Sequence, residues 1–313
     1  MSYEEFKEKC KGILCLLITP FKEDGEIDYE GLRENVNRMI EAGVHMLIPC
    51  GSTGEFSEMT LEERKKVVEA VIDEANGRVP VVAGTAHSSS RVALELTKHA
   101  EDAGADGAMI TYPYYFSYPG YPEEGLYNYY KTICDGTELP IMLYNKPVMV
   151  VGRVSLQTLE RLAELENVVA MKDVTFDPFY FSMVVRRLGD RLAIVPWTVG
   201  SYALWAFQLG CPGTTATIPN FAPEASVEFY EAYVKGDLER AWELAKLFDL
   251  FHDLWRSAIF RFGGPQFINY SKKAMEILGM PSGPVRETIR VEIPEEDVER
   301  LKGILRKLGL IDG

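Results

Sequence analysis

Lys172 closes the apolar run Val168-Val-Ala-Met, and a lysine in that position is a candidate nucleophile. On a strand buried on both faces, desolvation disfavours the ammonium, lowers its pKa and frees an amine near neutral pH. Such an amine condenses with a 2-oxo acid to a Schiff base, an electron sink that stabilises a carbanion at C3 of the acid. Taken alone, the lysine fits better a cation that reaches out of the strand end to pair with an acid such as Asp173.

Three further groups could serve the same chemistry. Gly51-Ser52-Thr53-Gly54-Glu55 joins an apolar run to a helical pattern. Its glycines permit a tight turn, and its amides and hydroxyls could cradle a carboxylate. The same letters also describe an ordinary glycine-containing loop. Tyr144 ends the apolar run before that of Lys172, where its phenol could move protons as a general acid/base or simply be a core ring with a wet hydroxyl. Pro113-Tyr114-Tyr115 offers a second phenol in an aromatic run that equally suits packing or an interface.

The elements that would position these groups alternate in type. Short apolar runs lie at Gly12–Thr19, His45–Cys50, Val79–Gly84, Gly107–Thr111, Pro140–Tyr144, Val168–Lys172, Leu192–Pro196 and Cys211–Thr217. Apart from the last, rich in small residues, they are mostly continuously hydrophobic, as parallel strands covered on both faces are. Between them come helical patterns, such as Leu32, Val36, Met39 and Ile40, or Val68, Val71, Ile72 and Ala75, or Leu156, Leu159, Leu162 and Ala163. Thr60 with Glu63 reads as a capping box, and Gly43, Gly77, Gly104, Gly189 and Gly210 fall where left-handed caps would end helices.

Eight such units at even spacing predict an α/β fold, a (β/α)8 TIM barrel over residues 1–235 with a C-terminal helical extension, 236–313, packed on it as one structural unit. Helices are expected over Asp237–Phe260, with the stripe Leu238, Ala241, Trp242, Ala245, Phe248, Phe251 and Trp255, and near Ser271–Leu278 and Glu295–Leu308. No G-x-G-x-x-G follows a strand, which weakens a dinucleotide-binding sheet.

Bulk composition narrows the partners. The chain has 313 residues, 47% hydrophobic and 26% charged, and 33 Lys+Arg against 47 Asp+Glu give a net charge of −14. So acidic a protein repels phosphate backbones and anionic membranes, so neither nucleic acid nor membrane is an expected partner. The five cysteines (Cys10, Cys15, Cys50, Cys134 and Cys211) are odd in number and scattered, as free thiols in a reducing compartment would be. The charged N-terminus lacks an apolar signal core, and no apolar run approaches the roughly 20 residues of a membrane span, so a cytoplasmic location is expected.

Taken in order, T-P-F at 19–21, G-S-T-G-E at 51–55, P-Y-Y at 113–115, Y-N-x-P at 144–147, K-D at 172–173 and G-T-T-A-T at 213–217 resemble the dihydrodipicolinate synthase/N-acetylneuraminate lyase family of class I aldolases over nearly the whole chain. The resemblance implies a lyase that forms a Schiff base at Lys172, with Tyr144 as the proton-transfer phenol. Ser52, Tyr144 and Tyr115 would form a proton relay, Tyr115 acting within its own subunit or entering from a neighbouring one. Ser52 and Thr53, with Gly51 and Thr215, would bind the carboxylate of a small 2-oxo acid. It also implies a homotetramer built as a dimer of dimers, and no metal or organic cofactor.

Departures from the family pattern bear on the second substrate. Where the synthases of the family carry an arginine that grips the carboxylate of aspartate semialdehyde, this chain has Met149, with Arg153 four residues further on. A methionine cannot make the bidentate pair of an arginine. Pro196-Trp197-Thr198 replaces a small segment at the seventh strand, where Trp197 could narrow or reshape the pocket, and Lys146 reads as an exposed loop lysine. These differences favour cleavage or dehydration of a 2-oxo-3-deoxy sugar acid over the synthase reaction that joins pyruvate to aspartate semialdehyde. Two rivals stand beside it: a metal-dependent barrel enzyme, for which His45, His87, His99 and His252 are too dispersed, and a non-catalytic 2-oxo acid binding protein on the same fold.

Overall fold

The computed structural model describes residues 1–116, 121–146, 154–175 and 177–312. Eight strands follow in order: β1 (Gly12–Leu16), β2 (Met46–Ile48), β3 (Val82–Gly84), β4 (Gly107–Thr111), β5 (Ile141–Asn145), β6 (Val168–Asp173), β7 (Ala193–Pro196) and β8 (Gly213–Ala216). Each lies inside or within a residue of one of the apolar runs. All pair in parallel, in two arcs, β2-β1-β8 and β3-β4-β5-β6-β7. Isolated parallel bridges, Leu47 to Val81 and Trp197 to Thr215, join the arcs into a closed (β/α)8 barrel.

The helices are α1 (Tyr3–Lys9), α2 (Tyr29–Glu41), α3 (Leu61–Ala75), α4 (Ser90–Asp102), α5 (Glu123–Cys134) and α6 (Leu156–Ala163). After them come α7 (Pro178–Leu188), α8 (Ser201–Gln208), α9 (Pro223–Lys235), α10 (Leu238–Phe262), α11 (Gln266–Ile277) and α12 (Glu295–Lys307). The Thr60–Glu63 capping box forms as expected and starts α3. Four of the five expected glycine caps take positive φ; Gly189 does not. It stays helical at φ −64°, with its amide donating to the Val185 carbonyl, so α7 runs out in an ordinary helical turn. The predicted stripe on α10 also frays at its start, where Leu238 and Trp242 are 45% and 40% exposed while Ala241, Ala245, Phe248, Phe251 and Trp255 are buried.

The barrel interior is filled by Leu14, Leu16, Met46, Ile48, Val82, Met109, Met142 and Val195. At one end Phe6 of α1, fully buried, packs into this cluster, a role the charged N-terminal segment did not announce. Gly107 makes room for it, since a β-carbon there would stand 2.6 Å from the Phe6 ring. A second cluster joins Ile13 and Ala216 of the barrel to Phe248 and Phe251 of α10 and to Leu301 and Leu305 of α12. Phe6→Ala would lose the interior plug. Its expected cost is about 3–5 kcal/mol, read as a lower urea midpoint; an unchanged midpoint would mean that α1 is not docked.

Candidate active site

Alternation along a strand points successive side chains to opposite faces. In β6 it aims Lys172 into the barrel and Asp173 outward, where the Asp173 carboxylate accepts from the Thr175 amide at 2.8 Å and from Asn145 Nδ2 at 2.5 Å. Lys172 is therefore not paired with Asp173. It is 1% exposed, and its Nζ stands 3.9 Å from the centroid of the Tyr144 ring. Register puts the two together: Tyr144 on β5 is the direct partner of Lys172.

Burial, and then the positive charge of Lys146, hold the Lys172 amine well below the ordinary lysine range. Burial also pushes the Tyr144 phenol up to about 12, against a hydrogen bond with the Ser52 side chain. Burial thus disfavours the charged form of both the amine and the phenol beside it. Lys146 is not an exposed loop lysine. It lines the same cavity with its Nζ 5.8 Å from the Tyr144 ring centroid, and burial lowers it to about 8.

Residues 50–55 close the other side. Cys50 and Glu55 both take left-handed φ, 55° and 58°, uncommon for residues with side chains. Close approach shapes the turn: a β-carbon on Gly84 would lie 2.1 Å from the Cys50 carbonyl oxygen. Glu55 anchors it, pairing through Oε1 with Lys272 Nζ at 2.6 Å and accepting the Arg286 amide at 3.0 Å. Ser52 and Thr53 then face the cavity, the Thr53 hydroxyl 2.9 Å from that of Thr217.

The cavity holds about 510 Å³, and Ser52, Thr53, Tyr144 and Lys172 all line it. Other expected residues do not. Thr215 is buried with its hydroxyl donating to the Pro196 carbonyl at 3.1 Å, spent on holding β8 to β7 rather than facing the cavity. Gly51 lies behind the turn, its side-chain direction closed by Met109 at 3.4 Å. Tyr115 is 77% exposed and outside the cavity wall, where Tyr114 stands instead. Pro147, Met149 and Arg153 lie outside the described residues. Sequence reading took Trp255 for core and passed over Phe267; both line the cavity with Trp197. Helical spacing marks such residues as apolar but cannot say that their helices overhang the mouth.

A model of the dihydrodipicolinate synthetase family matches residues 9–308. The chain belongs to that family. One relative, a 4-hydroxy-tetrahydrodipicolinate synthase of Methanopyrus kandleri, is 39% identical over 303 residues, 96% of this chain and 97% of its own. Among solved structures, dihydrodipicolinate synthase from Aquifex aeolicus superposes with a TM-score of 0.85 at 34% identity, covering 96% of this chain and 98% of that one. A prophage protein of the same family from E. coli K12, in complex with pyruvate, gives a TM-score of 0.86 at 27% identity, covering 96% and 99%. Family membership makes the chain an enzyme of the aldolase-type lyase class.

The buried amine carries a stability signature with a definite sign. Below its ordinary pKa of about 10.4 the unfolded chain binds a proton at Lys172 more tightly than the folded chain does, so folding is penalised at neutral pH. The penalty fades as pH climbs towards that value. Lys172→Met should therefore raise the melting midpoint at pH 7, by an amount that shrinks near pH 10. A variant less stable than the parent at pH 7 would mean that the lysine is folded as a charged, paired group.

Proposed function

We propose that Lys172 forms a Schiff base with pyruvate and that the enzyme joins pyruvate to an aldehyde or cleaves the corresponding 4-hydroxy-2-oxo acid. The observation that supports this most directly is the fully enclosed amine against the Tyr144 ring, beside the Ser52–Thr53 turn. The amine nitrogen adds to C2 of pyruvate and its oxygen leaves as water. Loss of a C3 proton gives an enamine, whose C3 attacks the aldehyde carbon. Tyr144 carries the proton from C3 to the new alkoxide, and water then hydrolyses the imine and frees the lysine. Ser52, with Thr53 and the turn amides, takes the carboxylate. Pyruvate as donor is supported by the bound ligand of the E. coli K12 relative.

Tyr115, exposed on this chain, suits entry into the site of a second copy, and we extend the proposal to a homotetramer in which it completes the relay. A cytoplasmic setting accords with five cysteines that are all free and buried. Among the described residues, no helix is long and apolar enough to cross a membrane.

Incubation with pyruvate and reduction with borohydride should leave a reduced pyruvyl adduct on the peptide that contains Lys172. An adduct only on another lysine, or none, would remove Lys172 from the mechanism. Tyr144→Phe should keep the barrel, judged by circular dichroism, and lose turnover by roughly 10²–10⁴-fold. Unchanged steady-state kinetics would take Tyr144 out of the relay.

A further inference from the structure

The described lining of the cavity changes along the chain, from mixed polar and apolar, with Leu16 and Phe56 among the latter, to wholly apolar. The polar residues from the first six strands and their loops include Ser52, Thr53, Thr111, Tyr144, Lys146 and Lys172. Every described lining residue beyond β6 and Val174 is apolar or aromatic, among them Trp197, Trp255, Ile259, Phe267, Ile268 and Ile289. Three of these rings form a mutual cluster: Trp197 to Trp255 at 5.7 Å between centroids, Trp197 to Phe267 at 5.9 Å and Trp255 to Phe267 at 5.8 Å. Trp197 follows β7, whose Val195 is the direct partner of Lys172, so the cluster begins two residues beyond the amine.

We propose that the aldehyde partner of pyruvate is a flat apolar one, an aromatic aldehyde, its ring seated against Trp197, Trp255 and Phe267 while its carbonyl faces the Lys172 enamine. This rests on the Schiff-base reading above and departs from the sugar-acid expectation drawn from Met149. A polyhydroxylated tail needs a hydrogen-bond partner for each hydroxyl it removes from water, and burial without one is costly. The wall that begins at Trp197 offers ring faces and aliphatic carbons, which reward an aromatic ring by area and by edge-to-face contact. Glu55, the one acidic residue among the described lining residues, is committed to Lys272. Size agrees: about 510 Å³ lies among pockets that hold drug-sized ligands, roughly 300–1,000 Å³, and far exceeds pyruvate. The step is a balanced aldol addition. The enamine pair forms the C3–carbon bond, the carbonyl π pair becomes an alkoxide that takes the proton lost from C3, and hydrolysis releases a 4-aryl-4-hydroxy-2-oxo acid.

The test is kcat/KM for the intact enzyme with pyruvate and, in turn, benzaldehyde, glyceraldehyde and aspartate semialdehyde, the product identified by mass. Benzaldehyde should exceed both polar aldehydes by about tenfold or more. A polar aldehyde turned over as well or better, or no turnover of benzaldehyde, overturns the proposal. Borohydride trapping with pyruvate alone separates the two readings. An adduct on Lys172 with a polar preference sinks the aromatic aldehyde and keeps the Schiff base; no adduct sinks both. Trp197→Ser should lower kcat/KM for benzaldehyde at least about tenfold more than for glyceraldehyde; an equal loss for both would also overturn it.

Discussion

The structure depends on an amine kept out of water. Lys172 is fully enclosed in a barrel strand, where burial disfavours its charged form because an ammonium there loses its hydration. Its placement turns on one residue of register. β5 and β6 pair Ile141 with Val168 but Met142 with Ala170, so Val169 is passed over. Without that irregularity Tyr144 would face Met171, and the lysine would turn outward beneath the helices. A single-residue slip reverses every side chain beyond it. Here it puts amine and phenol on the same face.

The turn that faces them depends on a second buried charge. Two non-glycine residues in the left-handed region cost of order 1–3 kcal/mol each, so the conformation of residues 50–55 must be held from outside. Lys272 of α11 and the Arg286 amide, both far along the chain, grip Glu55. The Arg286 side chain also donates to the Glu63 carboxylate, holding Glu63 down to about 2, and to the Gly25 carbonyl at 2.9 Å. The C-terminal segment, α11 and the stretch after it, therefore fixes the geometry of a loop near the beginning of the barrel. Burial pulls Lys272 down to about 8 while Glu55 opposes it, so this clamp is itself held in a balance between desolvation and charge pairing.

Much of this was legible in the sequence, for identifiable reasons. Strands buried on both faces write themselves as continuous apolar runs, which is why eight runs became eight strands. A lysine or tyrosine at the end of such a run can face only the barrel or the helices, so Lys172 and Tyr144 stood out. What was not legible depends on direction in space. Lys146 follows a strand, where a polar letter suggests solvent, yet it leans back over Tyr144. Tyr114 and Tyr115 are neighbours of the same type, and only the path of the loop decides that the first lines the cavity. Thr215 looks like a site residue by motif, but its hydroxyl serves the seam where β7 meets β8. Gly189 shows that a glycine at a helix end permits a left-handed cap without requiring one.

Closure of the barrel and specificity of the cavity meet at Trp197. Its backbone bridges to Thr215 and its amide donates to the Asp173 carbonyl at 3.1 Å, so it belongs to the seam that joins β6, β7 and β8. Its ring belongs to the cluster with Trp255 and Phe267, supplied by α10 and α11. The strands hold Lys172 and Tyr144 in register, while helices after the barrel supply much of the aromatic wall of the cavity. Such a division lets the wall change without disturbing the register that encloses the amine. It explains how a chain of this family can set an aromatic wall beside the lysine, the phenol and the serine-threonine turn.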